Sequence, residues 1–134
     1  MSTLYDPNDK NDSEKRRFTR VAFVSHISLS KEKENFQWEG TVVDISFNGI
    51  LVNIDTESSI GEMGAIINAT IHFENDARID ATLQFAHHHD KFYGFSFHEI
   101  DSDSLMHLRR IIEHNLGDSS ICERELLTLF RYHQ

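Results

Sequence analysis

The chain has 134 residues, of which 39% are hydrophobic and 26% charged, a composition typical of one globular domain and not of a disordered chain. It carries 13 Lys and Arg against 22 Asp and Glu, a net charge of −9, which argues against binding to bulk nucleic acid or an anionic membrane surface. No apolar run approaches the ~18 residues of a membrane span. The polar first 12 residues lack the apolar core of a signal peptide. With Cys122 as the only cysteine, no internal disulfide is possible, and we expect a cytoplasmic protein.

Strands are predicted from residue 18 to residue 97. Residues 1–14 contain the only proline and few apolar side chains, which predicts a flexible tail. Apolar alternation and β-branched residues then indicate six strands separated by turn residues. The predicted strands cover 18–30, 37–46, 50–54, 65–73, 77–85 and 92–97. A turn through 87–91 joins the last two, and the even spacing resembles a meander, which favours a small antiparallel barrel or sandwich.

Two helices are predicted after the strands. Asp101 is a suitable N-cap, and Gly117 is well placed to end the first helix. An apolar stripe at helical spacing connects these two positions, formed by Leu105, Leu108, Ile112 and Leu116. Ser120 and Glu123 fit a capping box for the second helix. Strands followed by helices indicate an α+β, mainly β, fold, with a tail at 1–14, a barrel at 15–100 and a helical extension at 101–134.

Four basic residues lie within a six-residue stretch that contains no acidic side chain: Lys15, Arg16, Arg17 and Arg20. A guanidinium group binds phosphate, or the Hoogsteen edge of guanine, through paired N–H donors. A local cationic patch on an acidic protein suits a small anion better than a polyanion. The alternative is a solvated charge run that keeps the tail soluble.

A second candidate motif follows the second predicted strand, with the sequence Asp-Ile-Ser-Phe-Asn-Gly at 44–49. Asp44 can accept hydrogen bonds from the N–H groups of a base, and Ser46 can donate to phosphate or accept from a base. Asn48 and Gly49 tolerate positive φ, and Gly49 also allows the backbone to approach a ligand closely. The alternative is an ordinary hairpin turn in which Asp44 and Ser46 cap local amides.

In this order and separation, the two motifs resemble the RxxxR and DxSxxG elements of the PilZ family of cyclic di-GMP receptors. Tyr93-Gly94-Phe95 is similar to the last strand of that domain. Segments 107–110, 115–118 and 123–126 resemble the C-terminal helices of small stand-alone members. The resemblance implies a six-stranded antiparallel β-barrel with two C-terminal helices that binds the bacterial second messenger and catalyses no reaction.

The resemblance also implies roles for individual residues. Arg16 and Arg20 would bind phosphate or guanine, with Lys15 and Arg17 beside them. In the turn, Asp44 and Ser46 would contact a guanine, and Asn48 and Gly49 would bring the loop close to the ligand. Phe85 occupies the place of a tryptophan that packs near the ligand in stand-alone members. The resemblance does not decide whether one ligand or a stacked pair of ligands binds, nor which protein is the downstream partner. We expect no cofactor, no binding of DNA or RNA and no membrane insertion. A monomer fits the length and charge of the chain.

Three alternatives stand beside this interpretation. The chain could have the fold and act as a protein-interaction adaptor with weak or no nucleotide binding. His87, His88 and His89 suggest a metal site, but adjacent strand residues point to opposite faces, so only two of the three could share an ion. A metal-dependent enzyme is the third alternative, although the sequence contains no nucleophile elbow, P-loop, dinucleotide fingerprint or zincin motif.

Overall fold

The computed structural model describes residues 18–31, 37–55, 60–73 and 76–132. These residues form six strands followed by two helices. The strands are β1 (Val21–Ser30), β2 (Gln37–Ile45), β3 (Gly49–Asn53), β4 (Ile66–His72), β5 (Arg78–His89) and β6 (Phe92–Ile100). The helices are α1 (Ser102–Leu116) and α2 (Ser119–Tyr132).

The strands close into an antiparallel barrel in the order β1-β2-β3-β6-β5-β4. The predicted barrel with two C-terminal helices is therefore confirmed, but its strand order is not that of a simple meander. After β3, the chain does not continue next to β3 but crosses to the other side of β1. Strand β4 therefore pairs with β1, and β6 pairs with β3. Even spacing could not reveal this order, because the twelve-residue connection between Asn53 and Ile66 can reach either edge.

The barrel interior is filled by side chains that alternate along the strands, as the period of two predicts. Each such aliphatic side chain contributes about 1.5–3 kcal/mol when it leaves water. Those that are fully buried include Ile27, Leu29, Val42, Ile45, Val52, Ile67, Ile79 and Leu83. Because these side chains point inward, the polar groups of the neighbouring positions lie on the outer surface of the barrel.

The two helices begin and end with local hydrogen bonds. The carboxylate of Asp101 accepts from the Ser104 N–H at 2.7 Å, and Gly117 ends α1 with φ of 69°, as predicted. The cap of α2 differs from the prediction: Asp118, and not Ser120, accepts, because the N–H of Ser120 donates to Asp118 at 2.9 Å. Helix α1 packs against β5 and β1, and α2 packs against α1. Neither described helix has the length and apolarity needed to cross a membrane.

Candidate nucleotide site

A cavity of about 170 Å³ opens on the outer surface of the barrel. It lies where the start of β1, the turn between β2 and β3, and the facing parts of β5 and β6 meet. Its lining residues are Phe18, Arg20, Asp44, Ser46, Asn48, Gly49, Ile50, Leu51, Ala86, His87, Gly94, Phe95 and Ser96. Small-molecule sites usually measure about 300–1,000 Å³, so this cavity has room for part of a dinucleotide.

Arg20 and Asp44 bring opposite charges to the same cavity. Asp44 is half-buried near the end of β2, and Arg20 is exposed just before β1. Burial raises the pKa of the Asp44 carboxyl, and the positive charge of Arg20 partly opposes that rise. Among the described residues, neither side chain has a hydrogen bond or ion pair. A carboxylate acceptor and a guanidinium donor are thus both available to a ligand in this cavity.

The Ser46 hydroxyl holds the turn between β2 and β3. It donates to the Gly49 carbonyl at 3.3 Å and accepts from the N–H groups of Asn48 and Gly49, each at 3.2 Å. These three bonds use the one donor and both acceptor positions of a serine hydroxyl. Ser46 therefore acts as a local cap, and a direct contact with a ligand requires one of these bonds to be exchanged.

Gly49 is required by the close approach of two strands. It pairs with Ser96 on β6, and a Cβ at position 49 would lie 2.1 Å from the carbonyl oxygen of Phe95. Neither Asn48 nor Gly49 has a positive φ. The positive φ predicted to be tolerated in this turn is therefore not adopted. Position 49 requires glycine because it leaves no room for a side chain.

The segment that carries Arg20 is attached to the last helix. The carboxylate of Glu125 on α2 accepts from the Thr19 N–H at 3.0 and 3.1 Å and from its hydroxyl at 2.6 Å. Glu125 is buried, with 2% of its surface exposed. Charge-assisted hydrogen bonds of this kind are stronger than neutral ones, so α2 fixes the chain one residue before Arg20.

The predicted site residues divide into three groups. The structure brings Arg20, Asp44, Ser46, Asn48 and Gly49 together around the cavity. The predicted residues Lys15, Arg16 and Arg17 lie outside the described residues. Phe85 is not brought to the cavity: it is 5% exposed and packs inside the barrel against Tyr93 and Phe95, with ring centroids 6.0 and 5.7 Å away.

Sequence reasoning missed the wall formed by β5 and β6. Its residues include Ala86, His87 and Gly94. Phe85 pairs with Phe95 and His87 pairs with Gly94, which leaves Ala86 as an extra residue and makes a bulge in β5. Strict alternation from Phe85 predicts that His87 points inward, but the bulge directs it to the outer surface. The residue types at Ala86 and His87 do not mark a bulge in the sequence.

The histidine run does not form the predicted turn. Strand β5 continues through His89, and the chain reverses at Asp90 and Lys91, with φ of 54° at Asp90. The His88 ring stacks on Tyr93 at 5.2 Å. Within the described part of the chain, no group of three or more His, Cys, Asp or Glu side chains could hold a metal ion.

This chain is similar to known proteins both in sequence and in fold. The model of the PilZ domain family matches residues 14–114. The solved structures that share the fold include the following three. The inhibitor of motility MotI/DgrA of Bacillus subtilis has a TM-score of 0.62 and 17% identity over 75% of this chain. The PilZ domain of YcgR from Escherichia coli, solved with c-di-GMP, has a TM-score of 0.63 and 13% identity over 78%. The PilZ domain of CeSA from a cellulose-synthesizing bacterium has a TM-score of 0.58 and 9% identity over 74% of this chain.

The lengths of these proteins differ. This chain spans 51% of the Bacillus protein, but 94% of the YcgR domain and 96% of the CeSA domain. At 9 to 17% identity, the three structures support the fold alone.

Proposed function

Because the chain belongs to the PilZ domain family, we propose that it is a non-enzymatic, cytoplasmic receptor for cyclic di-GMP. The observation that carries this proposal is that Arg20 and Asp44, one on each of the two motifs, line the same cavity. The YcgR domain, with the same fold, was solved with c-di-GMP. A binding site of this kind performs no reaction and needs no cofactor.

The chemistry of guanine fits this pair of side chains. The N1–H and N2–H groups of guanine form adjacent donors for the Asp44 carboxylate, whereas adenine has an acceptor at N1. The Arg20 guanidinium can bind a phosphate or the O6 and N7 atoms of guanine through two N–H groups. The cavity encloses only part of a dinucleotide, so we propose that Lys15, Arg16 and Arg17 supply further contacts.

Calorimetric titration with cyclic di-GMP at two salt concentrations tests the proposed function. We expect one or two ligands per chain and weaker binding at the higher salt concentration, because ions screen the contacts between arginine and phosphate. Absence of binding at both salt concentrations would contradict the proposed receptor function and favour a protein-interaction adaptor.

One observation favours this second function, a protein-interaction adaptor with the same fold. The side chains of Leu127 and Phe130 on α2 are 57% and 50% exposed, and they form an apolar surface that a protein partner could cover.

Binding should weaken in acid because of Asp44. Burial raises the pKa of this carboxyl in the free protein, and a guanine that donates to the carboxylate favours the ionised form, so binding lowers the pKa. Affinity should therefore be highest above the raised pKa and fall as the pH decreases through it. Calorimetry over a pH series measures this, with Asp44→Asn as the variant that lacks the carboxyl titration. An affinity that stays constant down to about pH 4, near the usual range of aspartate, would contradict the role of Asp44.

We also propose that binding orders the N-terminal segment and changes the surface offered to a protein partner. The contact between Thr19 and Glu125 supports this route, because it joins the arginine segment to α2. Hydrogen exchange of residues 1–20 is expected to slow when the full chain is saturated with cyclic di-GMP. Strand β4, which lines no part of the cavity, provides the reference and should not change. Unchanged exchange of residues 1–20 would contradict this mechanism.

A further inference from the structure

The turn between β2 and β3 contains the only Asn-Gly pair of the sequence, Asn48-Gly49. An asparagine that precedes glycine can deamidate without an enzyme, because glycine has no side chain to hinder attack by its backbone nitrogen on the asparagine side chain. Glycine is required at position 49, where a Cβ would lie 2.1 Å from the Phe95 carbonyl oxygen. The close approach of β3 and β6 therefore leaves any asparagine at position 48 next to a glycine.

The side chain of Asn48 is accessible, whereas the peptide group that must attack it is held in place. Asn48 is exposed, and its side-chain amide makes no hydrogen bond with the described residues. The peptide group between Asn48 and Gly49 is bonded at both ends. Its N–H donates to the Ser46 hydroxyl at 3.2 Å, and its carbonyl oxygen accepts from the Phe97 N–H at 2.9 Å. The bond to Ser46 also retains the proton that the nitrogen must lose before it can attack.

We propose that Asn48 is a site of spontaneous deamidation and that the Ser46 hydroxyl suppresses this reaction in the folded protein. In the first step, the Gly49 nitrogen loses its proton and bonds to the side-chain carbonyl carbon of Asn48, and ammonia leaves. Water then opens the five-membered imide at either of its carbonyl groups, which gives aspartate or isoaspartate at position 48. Both products carry a new carboxylate, and isoaspartate also lengthens the main chain next to the first pair of β3 and β6.

The deamidated protein is expected to bind cyclic di-GMP poorly, a consequence that rests on the proposed function. Asn48 and Asp44 line the same cavity, so the new carboxylate adds negative charge where an anionic dinucleotide is proposed to bind. Asn48→Asp reproduces one product and should weaken binding about 5- to 10-fold, because like charges a few ångströms apart repel each other. Calorimetry measures this affinity, and equal affinities of Asn48→Asp and the wild type would overturn the consequence for binding.

Peptide mass spectrometry after prolonged warm incubation at mildly alkaline pH tests the deamidation itself, without nucleotide. In urea, Asn48 should deamidate much faster than Asn68 and Asn115, because alanine and leucine follow those two residues. In the folded wild-type protein, Asn48 should react at least about 10-fold more slowly than in urea, since the turn must open first. Because no ligand is added, these rates do not depend on whether the proposed function is correct.

Two variants test the role of Ser46 in the folded protein. Ser46→Ala removes the hydroxyl and should raise the deamidation rate of Asn48 several-fold, whereas Ser46→Thr keeps the hydroxyl and most of the protection. Gly117→Ala is the matched control for a general loss of stability, because Gly117 ends α1 with φ of 69°, and it should deamidate at the wild-type rate. Equal rates in folded protein and urea, or an unchanged rate in Ser46→Ala, would overturn the role of Ser46. A rate in urea no higher at Asn48 than at Asn68 would overturn the site.

Discussion

Replacing Arg20 with alanine is expected to weaken binding of cyclic di-GMP by about 5- to 150-fold, which corresponds to roughly 1–3 kcal/mol for lost charge-assisted hydrogen bonds. Arg20 is exposed at the cavity, and among the described residues its side chain makes no hydrogen bond or ion pair, although its charge acts on the Asp44 carboxyl. Its removal therefore breaks no hydrogen bond seen among those residues, and the charge interaction between an exposed Arg20 and Asp44 is weak, so stability should change little. Calorimetry measures the affinity, and thermal unfolding measures the stability.

The salt dependence and two further variants separate the role of Arg20 from that of charge in general. Binding by Arg20→Ala should depend less on salt than binding by the wild type, because one phosphate contact is lost. Arg20→Lys keeps the charge but loses the paired N–H donors, so an intermediate affinity is expected. Arg110→Ala removes a similarly exposed guanidinium from α1 and should bind normally. Equal affinities for Arg20→Ala and Arg110→Ala would contradict the role of Arg20.

Replacing Gly49 with alanine is expected to reduce both stability and binding. The added Cβ would lie 2.1 Å from the Phe95 carbonyl oxygen, so β3 and β6 must separate at their first pair. Forced overpacking costs roughly 1–3 kcal/mol, and more where backbone must move. In a chain of this size, such a loss lowers the melting temperature by roughly 5–10 °C. Because the same turn positions Ser46 and lies beside Asp44, affinity should fall as well.

Gly117→Ala provides the matched control for Gly49→Ala. A Cβ at position 117 meets nothing within 4 Å, but the residue has φ of 69°, so alanine there costs roughly 1 kcal/mol of backbone strain. Gly117 ends α1 and lies outside the cavity, so the control should lose stability without losing affinity. If Gly49→Ala unfolds at the wild-type temperature and binds normally, the close approach of β3 and β6 does not restrict this position.

The fold was largely predictable because its elements are local. Alternation fixed the inner face of β1, where Ile27 and Leu29 are buried, and the capping residues Asp101 and Gly117 fixed α1. The strand order was not predictable from spacing, since the pairing of β4 with β1 depends on contacts between residues distant in the chain. The length of β5 was also underestimated, because polar histidines on an outer surface look like turn residues.

The candidate site was predictable where a motif carried it. Arg20 and Asp44 were identified by residue type and spacing, and the structure brings them to one cavity. Phe85, which the resemblance places near the ligand, does not line this cavity: its ring is buried against Tyr93 and Phe95, and the bulge at Ala86 directs the next side chain, His87, to the outer surface. His87 was therefore missed, since its position depends on a bulge and on the bare backbone of Gly94, neither of which has a signature in the sequence.

Mapping of amide shifts by nuclear magnetic resonance tests the central claim most directly, namely that one outer cavity of the barrel receives the guanine dinucleotide. Among the residues that the structure describes, the amide resonances that shift on addition of cyclic di-GMP should belong to 18–20, 44–51, 86–87 and 94–96. These residues line the cavity or lie beside it. Cyclic di-AMP, whose bases lack the N1–H donor, should cause much smaller shifts at the same concentration. Shifts confined to other surfaces of the barrel, or equal shifts with both ligands, would contradict the account.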